Sequence, residues 1–109
     1  MSTKMDKGTL MQKIQIKYTK GEEVKFISHR DLMRVFQRAI RRAELPMVFS
    51  QGFNPHMRIS WGQALKVGAM SAGELATLQI DGWIKPQEVM DKLNLTLPKG
   101  IAILEAFVV

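Results

Sequence analysis

Between Ser28 and Pro46 the chain carries the pattern that most restricts its fold. Leu32, Val35, Phe36, Ala39, Ile40 and Ala43 recur at intervals of three and four residues, which gathers them on one stripe of an α-helix. Ser28 and Asp31 stand at the S/T-x-x-D/E spacing of a helix start, where a hydroxyl accepts a bond from an otherwise unpaired backbone N–H. Pro46 is expected to set the stop, because proline disfavours helical geometry in the residue before it. At ~100° per residue, Arg30, Arg34, Arg38, Arg41 and Arg42 fall within an arc of about 120° on the opposite side. The apolar stripe must be laid on a second layer, and the flanking segments supply it.

Ile14, Ile16 and Tyr18 alternate with Gln15, Lys17 and Thr19, the period of a half-buried strand. Lys20-Gly21-Glu22-Glu23 predicts a turn, and Val24 and Phe26 continue the alternation, so a first hairpin is expected. Beyond Pro46, Arg58-Ile59-Ser60-Trp61 predicts a short strand, and Gly68, Ser71 and Gly73 predict a connection. Ala76, Leu78 and Ile80 alternate with Thr77, Gln79 and Asp81 as a further strand. Pro86 suits the first turn of a second helix, whose apolar face is Val89, Met90 and Leu93. Pro98-Lys99-Gly100 then turns the chain into a buried strand over 101–109. The order strand, helix, strand, strand, helix, strand predicts an α+β fold. It is that of a ferredoxin-like split β-α-β sandwich, an antiparallel sheet with two helices on one face. Residues 1–11 read as a flexible N-terminal tail, and 12–109 as one α+β domain.

Charge divides the chain unevenly. The first 66 residues hold 13 Lys/Arg and 5 Asp/Glu, a balance of +8, whereas residues 67–109 hold 3 and 5, a balance of −2. Such an asymmetry points to a polyanionic partner or an acidic protein surface, against the plainer reading of a solvated basic face. There is no cysteine, which excludes disulfides, thiolate metal sites and cysteine nucleophiles. No apolar stretch is long enough to span a membrane, and the N-terminus lacks a secretory apolar segment. A cytoplasmic protein with no membrane association is therefore expected.

The arginine face is the strongest functional signal, because guanidinium groups give planar, bidentate donors matched to phosphate oxygens. His29 follows the helix start, and His56 closes the loop Gly52-Phe53-Asn54-Pro55-His56. Either imidazole could move a proton near an anionic ligand, or simply pack beside the cap and bond within its loop. Backbone N–H groups around Gly52, with Arg58 at the next strand, could meet a phosphate. Phe53, His56 and Trp61 could stack bases as single-stranded nucleic acid requires, or Phe53 and Trp61 could belong to the core. Two histidines without cysteine fall short of a zinc set, and the P-loop, G-x-G-x-x-G, H-E-x-x-H and G-x-S-x-G motifs are missing. No cofactor is implied.

Phe26-Ile27-Ser28-His29-Arg30-Asp31-Leu32-Met33, Arg41-Arg42-Ala43-Glu44-Leu45-Pro46 and Ser50-Gln51-Gly52-Phe53-Asn54-Pro55-His56-Met57-Arg58-Ile59-Ser60 resemble the radical SAM-linked protein family. This is a bacterial domain of unknown function, fused to or encoded beside cobalamin-type radical SAM proteins. The resemblance runs from Ile14 to Glu105 and includes Glu74 after Gly73. It departs at Trp61-Gly62-Gln63-Ala64-Leu65, where the family's proline is missing. It implies that 12–109 is the N-terminal part of a longer domain. It further implies an accessory, non-catalytic role beside a radical SAM protein. Lacking C-x-x-x-C-x-x-C, the chain cannot itself be the radical SAM enzyme.

Three functions follow as expectations. The first is binding of RNA or another phosphate-bearing ligand through Arg30, Arg34, Arg38, Arg41, Arg42 and Arg58, with Gly52, Phe53, Asn54 and His56 at the site. The second is docking of the same face on an acidic surface of the radical SAM partner. The third is metal-independent RNA cleavage with His29 or His56 as general base.

Overall fold

The alternating run around Ile14 forms β1 (Met11–Lys20), the strand on which the rest is assembled. The computed structural model describes residues 11–62 and 71–109. After β1 come α1 (His29–Arg42), β2 (Ile59–Trp61), β3 (Ser71–Asp81), α2 (Pro86–Thr96) and β4 (Ile103–Val108). β1 pairs antiparallel with β3 on one side and with β4 on the other, and β2 pairs antiparallel with β3. The sheet order is therefore β2-β3-β1-β4. β1 and β2 run the same way with β3 inserted between them, the split β-α-β arrangement of a ferredoxin-like α+β sandwich.

One face of the sheet is covered. Ile14, Ile16 and Tyr18 of β1 and Ala76, Leu78 and Ile80 of β3 meet Leu32, Phe36 and Ile40 of α1 and Val89 and Leu93 of α2 in a single core. Their outward neighbours Lys13, Gln15, Lys17, Thr77 and Gln79 lie on the helix-free face, as strand alternation requires. Thr96 joins the two helices, its Oγ1 donating to the carbonyl of Ala39 at 3.0 Å. Gly62 needs its missing side chain, since a Cβ there would lie 2.9 Å from the Leu75 carbonyl oxygen.

The helix start is as read. Ser28 Oγ accepts from the Asp31 N–H at 3.1 Å, which satisfies one of the free donors of the first turn. The stop has a different cause from Pro46. Leu45 N–H donates to the Ile40 carbonyl and Glu44 N–H to the Arg41 carbonyl, the Schellman pattern. Glu44 takes the left-handed position at φ 58°, where glycine is usual, and the helix is closed before the proline is reached.

Several expectations are corrected. Val24 and Phe26 do not form a strand. Glu22–Val24 is a 3-10 turn, Ile27 N–H donates to the Val24 carbonyl, and Phe26 is exposed. Local turn bonds outweighed a two-residue alternation. Ser71 and Gly73 belong to β3 rather than to a connection. The last strand is not buried throughout. Ile101 and Ile103 are, but β4 is a sheet edge and Leu104, Phe107 and Val108 are exposed. Met11 opens β1. The rest of the expected tail, and Gly68, lie outside the described residues.

Candidate functional site

All five arginines of α1 are exposed, because the stripe that packs on the sheet is on the other side of the helix. Arg34 faces Asp31 at 3.6 Å, with both side chains more than half exposed. Such a pair contributes at most about 1 kcal/mol and leaves the guanidinium open to competition. Among the described residues, Arg30, Arg38, Arg41 and Arg42 have no carboxylate partner. From Arg30 to Arg42 the helix rises about 18 Å at ~1.5 Å per residue. This is a ridge of positive charge, held rigidly at one end by the Ser28 cap and at the other by the turn at Glu44.

The ridge is not uniform. Arg38 and Arg42 lie on the flank toward α2, where with Val35 they line a groove closed on the far side by Leu95, Leu97 and Pro98. Helical spacing turns Arg30 and Arg41 to the opposite flank and leaves Arg34 on the crest.

The Gly52 loop is a built hairpin. Met47 bridges to Ile80, and Val48 N–H donates to the Gln79 carbonyl. The chain then leaves the sheet edge, pairs Phe49 with Met57, and returns where Arg58 N–H donates to the Val48 carbonyl. Ser50 N–H donates to the His56 carbonyl at 2.8 Å, and His56 N–H donates back to Ser50 Oγ at 3.0 Å. Gly52 takes φ 122° to turn the tip. Phe53 at that tip is fully exposed, and Asn54 and His56 are exposed beside it. An apolar ring held in water on a hydrogen-bonded finger is available to stack or insert.

The other predicted residues go elsewhere. His29 is half-buried and meets Trp61 edge-on at 5.7 Å, on the sheet side of α1. Trp61 also meets Phe36 at 5.3 Å and Tyr18 at 6.2 Å, so its ring belongs to the core and is not a free stacking platform. Trp61 ends β2, whereas His56 precedes its start and closes the finger through Ser50, so the two imidazoles belong to different features, the helix start and the finger. Arg58 lies opposite Gln79, whose N–H donates to its carbonyl at 3.1 Å. With Ile59 opposite the buried Leu78, alternation puts Arg58 on the helix-free face, away from the α1 ridge. The predicted constellation is thus dispersed over the ridge, the finger, the aromatic cluster and, for Arg58, the helix-free face.

That cluster contains two polar groups the sequence reading did not single out as site residues. Tyr18 and Glu74 are cross-strand neighbours on the inner face. Burial pushes the Tyr18 phenol up to about 12, and the Glu74 carboxylate adds to the effect. The available signal was a tyrosine and a glutamate both falling on the apolar phase of their strands.

Among the described residues no three His, Asp or Glu side chains gather as a metal-binding group. No helix there is long and apolar enough to cross a membrane. A comparison with curated proteins finds no match to this sequence. Residues 13–109 match the model of a family described as an uncharacterized protein conserved in bacteria (DUF2344), and the chain belongs to that family.

Proposed function

We propose that the protein is a non-catalytic binding module. It takes a phosphate-bearing polyanion, single-stranded RNA foremost, on the outer face of α1. The observation that carries this reading is the ridge itself: five exposed arginines in about 18 Å of helix, with one weak ion pair among them in the described residues. Unpaired guanidinium groups at such density repel one another, a cost that a polyanion converts into binding by releasing its counterions. The finger bearing Phe53 offers a stacking surface for an unpaired base. An accessory role beside a radical SAM protein is part of the proposal and rests on the resemblance of the Phe26–Met33, Arg41–Pro46 and Ser50–Ser60 stretches alone.

The test is a filter-binding titration of single-stranded RNA at low salt. It compares the native protein with the triple variant Arg30→Glu, Arg34→Glu, Arg41→Glu. Saturable binding lost in the variant is the expected result. No binding by the native protein removes the RNA reading. If a radical SAM partner still co-purifies after nuclease treatment, and is lost in the same variant, the ridge is a protein-docking face instead.

A further inference from the structure

Two of the α1 arginines, Arg38 and Arg42, line a groove whose chemistry differs from that of the crest. Val35 of α1, Leu95 at the end of α2, and Leu97 and Pro98 just beyond form an apolar channel with Arg38 and Arg42 along one wall. The groove encloses about 400 Å³. Its walls are fixed, because the Thr96 hydroxyl ties α2 to the Ala39 carbonyl at the base. Arg38 and Arg42 are one helical turn apart and lean to the same side. Both are exposed and face the end of α2 across the groove.

A nucleic-acid backbone has no use for the apolar half of this channel. Leu95 is 86% exposed, an apolar side chain left in water beside two guanidinium groups without carboxylate partners among the described residues. We infer that the α1–α2 groove is a docking site for a short acidic-apolar peptide segment of a partner protein. In it, a Glu or Asp meets Arg38 and Arg42 while a neighbouring leucine-type side chain covers Leu95, Leu97 and Val35. The charge argument fixes the sign of the partner and the channel floor fixes its apolar component. The stretch from Val35 to Arg42 is about 10 Å long at ~1.5 Å per residue, which about three residues of an extended peptide would span. This reading does not rest on RNA binding by the crest.

The probe is a fluorescein-labelled peptide of alternating Glu and Leu, titrated with the protein and followed by anisotropy. The expected result is saturable binding that weakens about tenfold in Leu95→Ser and about tenfold in Arg38→Gln/Arg42→Gln. Both changes are at exposed positions, and a thermal melt checks that the fold is intact. RNA affinity measured on Leu95→Ser should equal that of the native protein. Three results overturn the inference: no peptide binding, equal binding of a Glu/Ser peptide, or unchanged affinity in Leu95→Ser. Displacement of the peptide by dodecanoate at matching affinity also overturns it, by making the groove a site for a small amphiphile. If the peptide binds and RNA does not, the groove stands and the polyanion reading of the crest falls.

Discussion

The ridge on α1 makes a quantitative demand on salt dependence. If each of its five arginines neutralises one phosphate, log K should fall against log[salt] with a slope near −3.5 on a single strand, and near −4.5 on a duplex. The roughly 18 Å between Arg30 and Arg42 matches about five nucleotides at ~3.4 Å per residue of a stacked strand, so the charge count and the length agree. Between about 50 and 200 mM salt, the single-strand slope amounts to about a 130-fold loss of affinity. The perturbation is Arg30→Gln, Arg34→Gln and Arg41→Gln, singly and together. These side chains are exposed, and surface changes of this kind alter stability by about 0.5 kcal/mol or less. Each single change should make the slope shallower by about 0.7, and the triple variant should approach −1.4. Arg34 carries the one ion pair, so Asp31→Asn should strengthen binding by about twofold through removal of a screened like charge. The assay is anisotropy of a labelled oligouridine of about 12 nucleotides across the salt range. The reasoning is refuted if the triple variant keeps the native slope, or if Lys92→Gln, on α2 and paired with Glu88, reduces it equally.

Other consequences test the fold and its electrostatics. Leu78→Ala, at a fully buried position in β3, should cost about 2–5 kcal/mol in urea unfolding, whereas Leu95→Ala should stay within about 0.5 kcal/mol; equal costs would mean the core is misplaced. Glu44→Gly relieves a left-handed residue at φ 58°. The relief is partly offset by the larger entropy loss of glycine, so the unfolding free energy should rise by about 1 kcal/mol or less, and a clear destabilisation would argue against the Schellman closure. The chain has one tyrosine, so a tyrosinate absorbance titration reads Tyr18 alone and should show ionisation near 12. As pH rises from about 10 toward 12, the unfolded phenol loses its proton before the folded one. Stability should then fall by up to about 1.4 kcal/mol per pH unit, a component that Tyr18→Phe removes.

The architecture was legible where one period dominated for long enough. The alternation in β1 and the stripe of α1 each extend over several residues and bury a continuous face, so pattern and packing agree. At Val24 and Phe26 only two residues alternated, and turn bonds from Gly21, Glu22 and Val24 decided the outcome. The stop of α1 was assigned to the visible breaker, Pro46, whereas Glu44 in a glycine position closes it, a backbone event with no compositional sign. The candidate site was legible as residue types and not as an assembly. The five arginines follow from helical spacing alone. Where His56 and Arg58 fall depends on the junction at Val48, Arg58 and Gln79, a tertiary feature that shifts the chain in and out of the sheet.

That dispersal bears on which side of the sandwich meets a polyanion. The helix-free face also carries basic residues, Lys13, Lys17 and Arg58, but there acidic residues share the strands with the lysines. Lys17 lies opposite Glu105 on β4, an arrangement in which opposite charges attract, and Asp81, opposite Met11, is the diagonal neighbour of Lys13. The half-buried Gln15, Thr77 and Gln79 fill the remaining centre. Neither central strand presents an aromatic side chain there among the described residues. On α1 the proportion is reversed, with five arginines against Asp31 alone along the helix. The same β-α-β unit that hides Phe36 and Trp61 under the helix turns every one of those arginines outward. The fold thus concentrates on one ridge a charge that composition shows only as an excess in the first 66 residues.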